Sequence, residues 1–317
     1  MSKLSIVYAT DDNYAQHVAV SILSIYKTAQ DISLYEFYIL GNNLSTHVEG
    51  KLRKMLDSIG IVYNVIEISS FFNTLPIGIA IANLTISTYS RLFLAEILPK
   101  NIDKVLYLDC DTLIVRDISS LQDFPMGDSM ICGVEDTMYP EMKIQIGLNK
   151  EDSYINAGVL LINLKKWRET SITIRFLDFI KKFNAKVPHL DQGVINGVLR
   201  NHQLLPLIYN VQSPIYAIHR YEDLLKFHCI DKFYSKEEVE QAKNSPTILH
   251  FTSFFVGRPW FRFCLHPKRN CYRELLKETP FFYHGLQKNK NGITRILRML
   301  CFRYLQPIYL LLKFSIK

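Results

Sequence analysis

An α/β fold built on a mixed, mostly parallel sheet is predicted by three observations on this 317-residue chain. Short apolar runs rich in Val, Ile, Leu and Tyr alternate with stretches of helical spacing, the pattern of strands joined by helical crossovers. No internal repeat or low-complexity linker interrupts the alternation, and the 48% apolar composition suffices to bury one large core or two small ones. Finally, polar residues capable of chemistry collect where the apolar runs stop, which is where open α/β sheets hold ligands.

The elements follow in order. "LSIVYA" (4–9) predicts the first strand, and "QHVAVSILSIYKTA" predicts a helix with Val18, Ile22 and Ile25 on one face. "YEFYIL" (35–40), "VYNVIEI" (62–68), "KVLYLD" (104–109) and "GVLLINL" (158–164) predict further strands. Helical periodicity runs through "LSTHVEGKLRKMLDSIG" and, as one element, through "LKKWRETSITIRFLDFIKKF". Ser235 and Glu238 in "YSKEEVEQAKN" have capping-box spacing, and "SPTILHF" then predicts a short strand. Residues 137–154, carrying Tyr139, Pro140 and Gly147 between strand signals, are expected to form a mobile cover over a bound ligand.

Charge divides the chain. After Glu278 there is no acid, and the seven bases Lys288, Lys290, Arg295, Arg298, Arg303, Lys313 and Lys317 equal the whole excess of 37 basic over 30 acidic residues. "GITRILRMLCFRYL" puts Ile293, Ile296, Leu297, Leu300 and Tyr304 on one helical face, with Arg295 and Arg298 opposite. The uncharged run from Tyr304 to Leu312, interrupted by Pro307, is far short of the ~20 residues that cross a bilayer. A basic amphipathic segment of this kind is expected to lie on an anionic membrane surface; the competing reading packs it on the core. The opening "MSKLSIVYATDD" lacks the apolar region of a signal peptide, so a cytoplasmic location, peripheral to the inner membrane, is expected. Six cysteines without a C-x-x-C pair read as reduced and mostly core.

Two acids one residue apart, Asp109 and Asp111, close the run "KVLYLDCD" and must repel unless a cation, a base or solvent offsets them. Thr10, Asp11, Asp12 and Asn13 follow the first strand, and His250 ends "TILH"; Asn156 and Ala157 precede "GVLLINL", and Asp191 and Gln192 open "LDQGVINGV". Two carboxylates and an imidazole suit Mn²⁺, with Mg²⁺ as substitute. Taken singly, the acids also fit a capped turn, His250 a core histidine, and Asp11 with Asn13 an Asx turn opening the next helix. Dinucleotide, phosphate-loop and nucleophile-elbow motifs are missing, which leaves metal-held phosphate as the economical option.

Together "IVYATDDNYAQHVAVSILSI", "ISTYSRLFLAEILPKNIDKVLYLDCDTLIVRD", "YINAGVLLINLKKWR", "LDQGVINGVL" and "TILHF…RPW" resemble the retaining family 8 glycosyltransferases, notably bacterial lipooligosaccharide α-galactosyltransferases and glucosyltransferases. The resemblance implies a single GT-A domain over 1–285 with a membrane-associating tail over 286–317. It also implies a UDP-galactose or UDP-glucose donor, a glycan or lipid-linked glycan acceptor, and no nucleic-acid partner. Asp109, Asp111 and His250 match the metal ligands. Thr10, Asp11 and Asn13 match the nucleoside side, and Arg91 and Cys110 lie in matching donor stretches. Asp136, Asn156, Ala157, Asp191 and Gln192 match the sugar side. Gly257 and Arg258 stand where such enzymes carry a short glycine-containing stretch ending in Lys-Pro-Trp; here "HFTSFFVGRPW" is longer, and Arg replaces Lys. A sugar-nucleotide pyrophosphorylase and a non-catalytic glycan- or membrane-binding protein are the competing classes.

Overall fold

The computed structural model describes residues 3–74, 86–289 and 292–315. The strands are β1 (Leu4–Thr10), β2 (Tyr35–Gly41), β3 (Tyr63–Glu67), β4 (Lys104–Leu108), β5 (Thr112–Ile114), β6 (Ile131–Glu135), β7 (Ile155–Asn163), β8 (Gln203–Leu204), β9 (Val211–Gln212) and β10 (Ile248–His250). Seven of them form one sheet in the order β3-β2-β1-β4-β7-β6-β8. β1 pairs in parallel with β2 and β4, β2 with β3 and β6 with β8, whereas β7 runs antiparallel to β4 and β6.

Every residue of β1 is buried, as expected of a central parallel strand covered on both faces. Its alternation divides the core: Leu4, Ile6 and Tyr8 join Phe37, Ile39 and Leu106 on one side, while Val7 and Ala9 join Leu40, Val105 and Tyr107 on the other. A second sheet of three strands, β5-β10-β9, places His250 opposite Thr112. The chain therefore leaves the large sheet after Leu108 and enters the small one at Thr112, and Asp109, Cys110 and Asp111 form the crossing. Asp109 N–H still donates to Gly158 O at 2.8 Å, so the large sheet's ladder reaches the first acid.

The predicted helix after the first strand spans Ala15–Thr28, and the Ser235–Glu238 capping box is fully formed. The single helix expected over 164–183 is instead two, Leu164–Glu169 and Ile172–Lys182, separated by Ser171 at φ 49°. Arg168 anchors the first piece by donating to the carbonyls of Ala95, Pro99 and Ile102, and Thr170 Oγ1 turns back to Lys166 O. Consecutive Thr and Ser compete for helical backbone groups, so the break falls there. β5, β6, β8 and β9 were not among the predicted strands; the last two are residue pairs ordered by their neighbours.

Residues 137–154 form a packed segment that does not line the cavity described below. Met138, Ile146 and Leu148 are buried in the core around a helix Pro140–Gln145, and Lys143 Nζ donates to Asp152 O at 2.7 Å. Three of the six free cysteines are buried, Cys110, Cys132 and Cys264, while Cys271 and Cys301 are exposed.

The C-terminal helices Gly292–Tyr304 and Gln306–Ser315 pack and expose at once. Met299, Phe302, Gln306 and Leu310 are buried, and Gln306 donates to Ala217 O and accepts from His219 N–H, both at 2.9 Å. Ile293 (76%), Tyr304 (72%) and Leu311 (63%) remain exposed, with Leu297, Leu305 and Ile308 around them. Much of the face identified from periodicity is thus open, and an adjacent face supplies the packing. Lys290 and Lys317 lie outside the described residues, where no helix is long and apolar enough to cross a membrane.

His266 supplies a test of the core. It is fully buried between the rings of Tyr216 and Phe251, each 4.9 Å away, and burial pushes its imidazole down to about 3, with Lys268 and Arg269 adding to the effect. The unfolded side chain titrates near 6.5, so the unfolded state alone takes up the proton between pH 6.5 and 3, and stability falls as pH drops through that window. His266→Phe should therefore lose about 2 kcal/mol less unfolding free energy than wild type between pH 7 and pH 5. Urea unfolding of both proteins at the two pH values checks this.

Candidate active site at the seam of two sheets

A cavity of about 570 Å³ opens beyond the carboxyl ends of β1 and β4. Its wall includes Thr10, Asp11, Arg91, Asp109, Cys110, Asp111, Ala157, Asp191, Gln192 and Arg258. Oxygens of Asp109 and Asp111 and a ring nitrogen of His250 lie within 4.8 Å of one another at its edge. His250 Nε2 is 3.1 Å from Asp111 Oδ1 and 3.8 Å from Asp109 Oδ2.

The orientation of His250 follows from a chain of amides. Gly158 N–H donates to Asn156 Oδ1, which fixes that amide; Asn156 Oδ1 also accepts from Asn210 Nδ2, which turns Asn210 Oδ1 toward His250 Nδ1 at 2.9 Å. Nδ1 must then be the protonated nitrogen, and the Nε2 lone pair faces the acids. Two acceptors 3.1 Å apart need a proton or a cation between them, so the donor set fits a divalent ion. Without one, a second proton on His250 serves: burial opposes it, but the charges of Asp111 and Asp109 outweigh burial and raise the imidazole's pKa. Burial would likewise raise Asp111, yet His250 and Arg258 bring it down to about 2. Gly158 completes the cradle, because a Cβ there would stand 2.2 Å from His250 Cε1 and 2.8 Å from Asp109 Oδ2.

Arg91, which the resemblance placed on the donor side, is only 6% exposed. Its Nη2 meets Asp109 Oδ1 at 2.8 Å, Nε meets Asp191 Oδ2 at 2.9 Å, Nη1 donates to Ala157 O at 2.6 Å, and the guanidinium lies 4.4 Å from the centre of the Tyr107 ring. Asp191 is raised to about 6 by burial, with Arg91 pulling it down and Asp109 pushing it up. His189 and Leu190, both at positive φ, bend the chain sharply into the helix that presents Asp191 and Gln192. Gln192 is held at both ends of its amide, Oε1 accepting from Ala157 N–H and Nε2 donating to Asp136 Oδ2 at 2.8 Å. Asp136 also accepts from Asn156 Nδ2 at 2.9 Å, so the sugar-side candidates form one hydrogen-bonded cluster.

Other candidates divide. Asp11 Oδ1 accepts from the backbone N–H groups of Asn13 and Tyr14, so the local Asx-turn reading is realised while Asp11 still borders the cavity. Asn13 is exposed and stands outside the cavity wall. Cys110 turns its thiol inward to Ala9 O at 3.1 Å. Arg258 Nη2 reaches Asp111 Oδ2 at 3.2 Å and Nη1 donates to Tyr14 Oη at 3.2 Å. Missed from sequence were Asn210, Tyr14, Tyr107 and His17; the last lies tilted against Trp260, ring centres 4.1 Å apart, and pairs with Tyr272 Oη at 2.6 Å behind the acids. Only Asn210 had a signal, a lone amide inside the apolar stretch "LLPLIYNV".

A mixed, mostly parallel sheet with an Asp-x-Asp crossing at the edge of a ligand-sized cavity is the architecture of the GT-A glycosyltransferases. Residues 5–264 match the model of glycosyl transferase family 8, and the chain belongs to that family. General stress protein A of Bacillus subtilis is 23% identical over 282 residues, 87% of this chain and 94% of that protein. The lipopolysaccharide 1,2-glucosyltransferase of Escherichia coli K12 is 26% identical over 283 residues, 88% of this chain and 79% of that protein. The crystal structure of the galactosyltransferase LgtC with donor and acceptor sugar analogues matches with a TM-score of 0.70 at 25% identity, covering 87% of this chain and 96% of that one.

Arg91→Leu should strand Asp109 and Asp191 without their cation, at a cost of about 3–5 kcal/mol. Denaturant unfolding checks this, and a loss below about 1 kcal/mol would contradict the pairing.

Proposed function

We propose that this glycosyltransferase is a retaining, metal-dependent enzyme that moves galactose or glucose from UDP to a glycan of the cell surface, such as lipopolysaccharide. The observation that carries the reading is the convergence of Asp109, Asp111 and His250 beside Arg258 at the cavity mouth. Around that cavity the carboxylates of Asp11, Asp109, Asp111 and Asp191 outnumber the guanidiniums of Arg91 and Arg258 by two. That balance suits a bound cation and resists an unaccompanied diphosphate. Family membership argues against the pyrophosphorylase, and metal-dependent release of UDP would separate the enzyme from a non-catalytic binding protein.

Asp109, Asp111 and His250 would hold Mn²⁺, or Mg²⁺ in its place. The ion would supply positive charge for the leaving diphosphate. Arg258 adds charge on the same side and can grip phosphate through two N–H groups. Thr10 and Asp11 border the nucleoside end. Arg91, saturated by protein groups, acts on the donor chiefly by setting Asp109 and Asp191. Gln192 is a poor nucleophile and is clamped at both ends, so it and Asp136 orient the sugar. Asp191 accepts from a sugar hydroxyl, and the acceptor oxygen attacks from the leaving group's own face while the departing phosphate takes its proton. A glycosyl adduct on Asp191 detected by mass spectrometry would refute this route.

The tail, 286–317, is proposed to rest on an anionic membrane at the cytoplasmic face and to bring the cavity to a lipid-linked acceptor. Its exposed apolar residues and its arginines support this reading, each basic residue adding roughly 1 kcal/mol near such a surface. Because the same helices bury Met299, Phe302 and Leu310, truncation would uncover core, and surface substitution is the cleaner test. Replacing Ile293, Leu297, Tyr304 and Ile308 by Ser should abolish sedimentation with anionic vesicles and leave the melting temperature unchanged.

Three measurements test the catalytic reading. A panel of nucleotide sugars should show hydrolysis of UDP-galactose or UDP-glucose that EDTA abolishes and Mn²⁺ restores; preference for a GDP- or CMP-sugar would overturn it. Asp109→Ala or Asp111→Ala should lower kcat/KM about 10³-fold. Asn210→Leu, which frees the His250 ring, should weaken Mn²⁺ binding about 10–100-fold, read by titration of the ion with UDP present.

A further inference from the structure

We infer that the C-terminal helix Gly292–Tyr304 is a working part of the donor site: through Met299 and Phe302 it positions the guanidinium of Arg258. The inference rests on the donor reading above and adds a residue set outside the family match, which ends at residue 264.

Arg258 is weakly held by its own bonds. Its two polar contacts, to Asp111 and Tyr14, are both 3.2 Å long, its guanidinium lies 5.2 Å from the centre of the Trp260 ring, and Nε is buried without a hydrogen-bond partner. Its place therefore also depends on the backbone behind it. That backbone passes through Gly257 at φ 71°, a left-handed conformation that glycine adopts without strain. Met299 closes the space beneath: a Cβ on Gly257 would stand 2.7 Å from Met299 Cε. One turn on, Phe302 lies parallel to Phe255, ring centres 4.2 Å apart and planes at 9°, and meets Phe254 edge to face at 5.7 Å. Met299 is 2% exposed and Phe302 1%, so the contact is a packed core and not a loose apposition.

The stretch "HFTSFFVGRPW" carries Phe254 and Phe255, and these are the side chains that meet the helix. Loop and helix form one aromatic unit with Phe227 and Tyr309, and Arg258 is its projection into the cavity. Arg258→Ala and Phe302→Ala should then remove the same contribution to donor binding, although Phe302 touches no ligand.

The test uses the full chain and UDP with Mn²⁺ as the probe. Phe302→Ala should weaken UDP binding about tenfold by calorimetry and speed amide hydrogen exchange in residues 254–258. The double variant with Arg258→Ala should bind no more weakly than Arg258→Ala alone. UDP affinity within about twofold of wild type with unchanged exchange, or losses that add in the double variant, would overturn the inference. Should Phe302→Ala fail to fold, Met299→Ala is read on the same scales. A wild-type protein that does not bind UDP would refute the donor reading, and the exchange comparison, which needs no ligand, would still decide the positioning.

Discussion

Taking the guanidinium of Arg91 out of water would cost several kcal/mol were it not bound on every side, and the groups that bind it come from separate parts of the chain. Asp109 ends one strand, Ala157 lies within its antiparallel neighbour, and Asp191 opens a helix some thirty residues later. One cation therefore fixes the relative positions of two acids and a backbone carbonyl, and Tyr107 covers its face. The arrangement answers the repulsion between Asp109 and Asp111 by division. Arg91 faces the first acid, while Arg258 and His250 face the second. A bound ion would join a cluster whose charges are already placed, not one that has to be drawn together.

The rest of the site depends on that placement through hydrogen bonds between neutral groups. A backbone N–H at Gly158 sets Asn156, which sets Asn210, which sets the tautomer of His250. The other end of Asn156 reaches Asp136, and Asp136 holds Gln192. The metal-ligand side and the sugar-side candidates are thus two ends of one network of buried amides. Each member is satisfied only while its neighbours keep their orientation.

Much of this was legible in the sequence, for identifiable reasons. The central strands are buried on both faces and read as unbroken apolar runs; polar residues at their ends then marked the cavity with Thr10, Asp109 and Asp111. The Ser235 capping box is local chemistry, and it formed as written. What stayed hidden is what tertiary contacts decide. β8 and β9 are too short to carry a pattern, and the direction of β7 is no property of its own residues. Only the resemblance pointed to Arg91, because Asp109, Ala157 and Asp191, which bury it, are distant in sequence. Residues 137–154 looked like a loop because their buried side chains, Met138, Ile146 and Leu148, do not recur at a regular period. In the tail, periodicity found an apolar stripe but could not tell the part that packs from the part that stays open.

The seam between the two sheets also sets when in the protein's synthesis the site can exist. His250 and Asp111 are separated by 139 residues, and Asn210, which orients the imidazole, lies 40 residues before His250. On a growing chain the large sheet can gather most of its strands, with Asp109 and Asp111 already at its edge, while β10 is still unmade. The acids then spend that interval without their imidazole. Closing so long a loop is slow compared with local helix formation, so the small sheet follows the large one. Ligands that bind only the finished seam recognise a chain in which β10 has already joined β5, and they stabilise that contact.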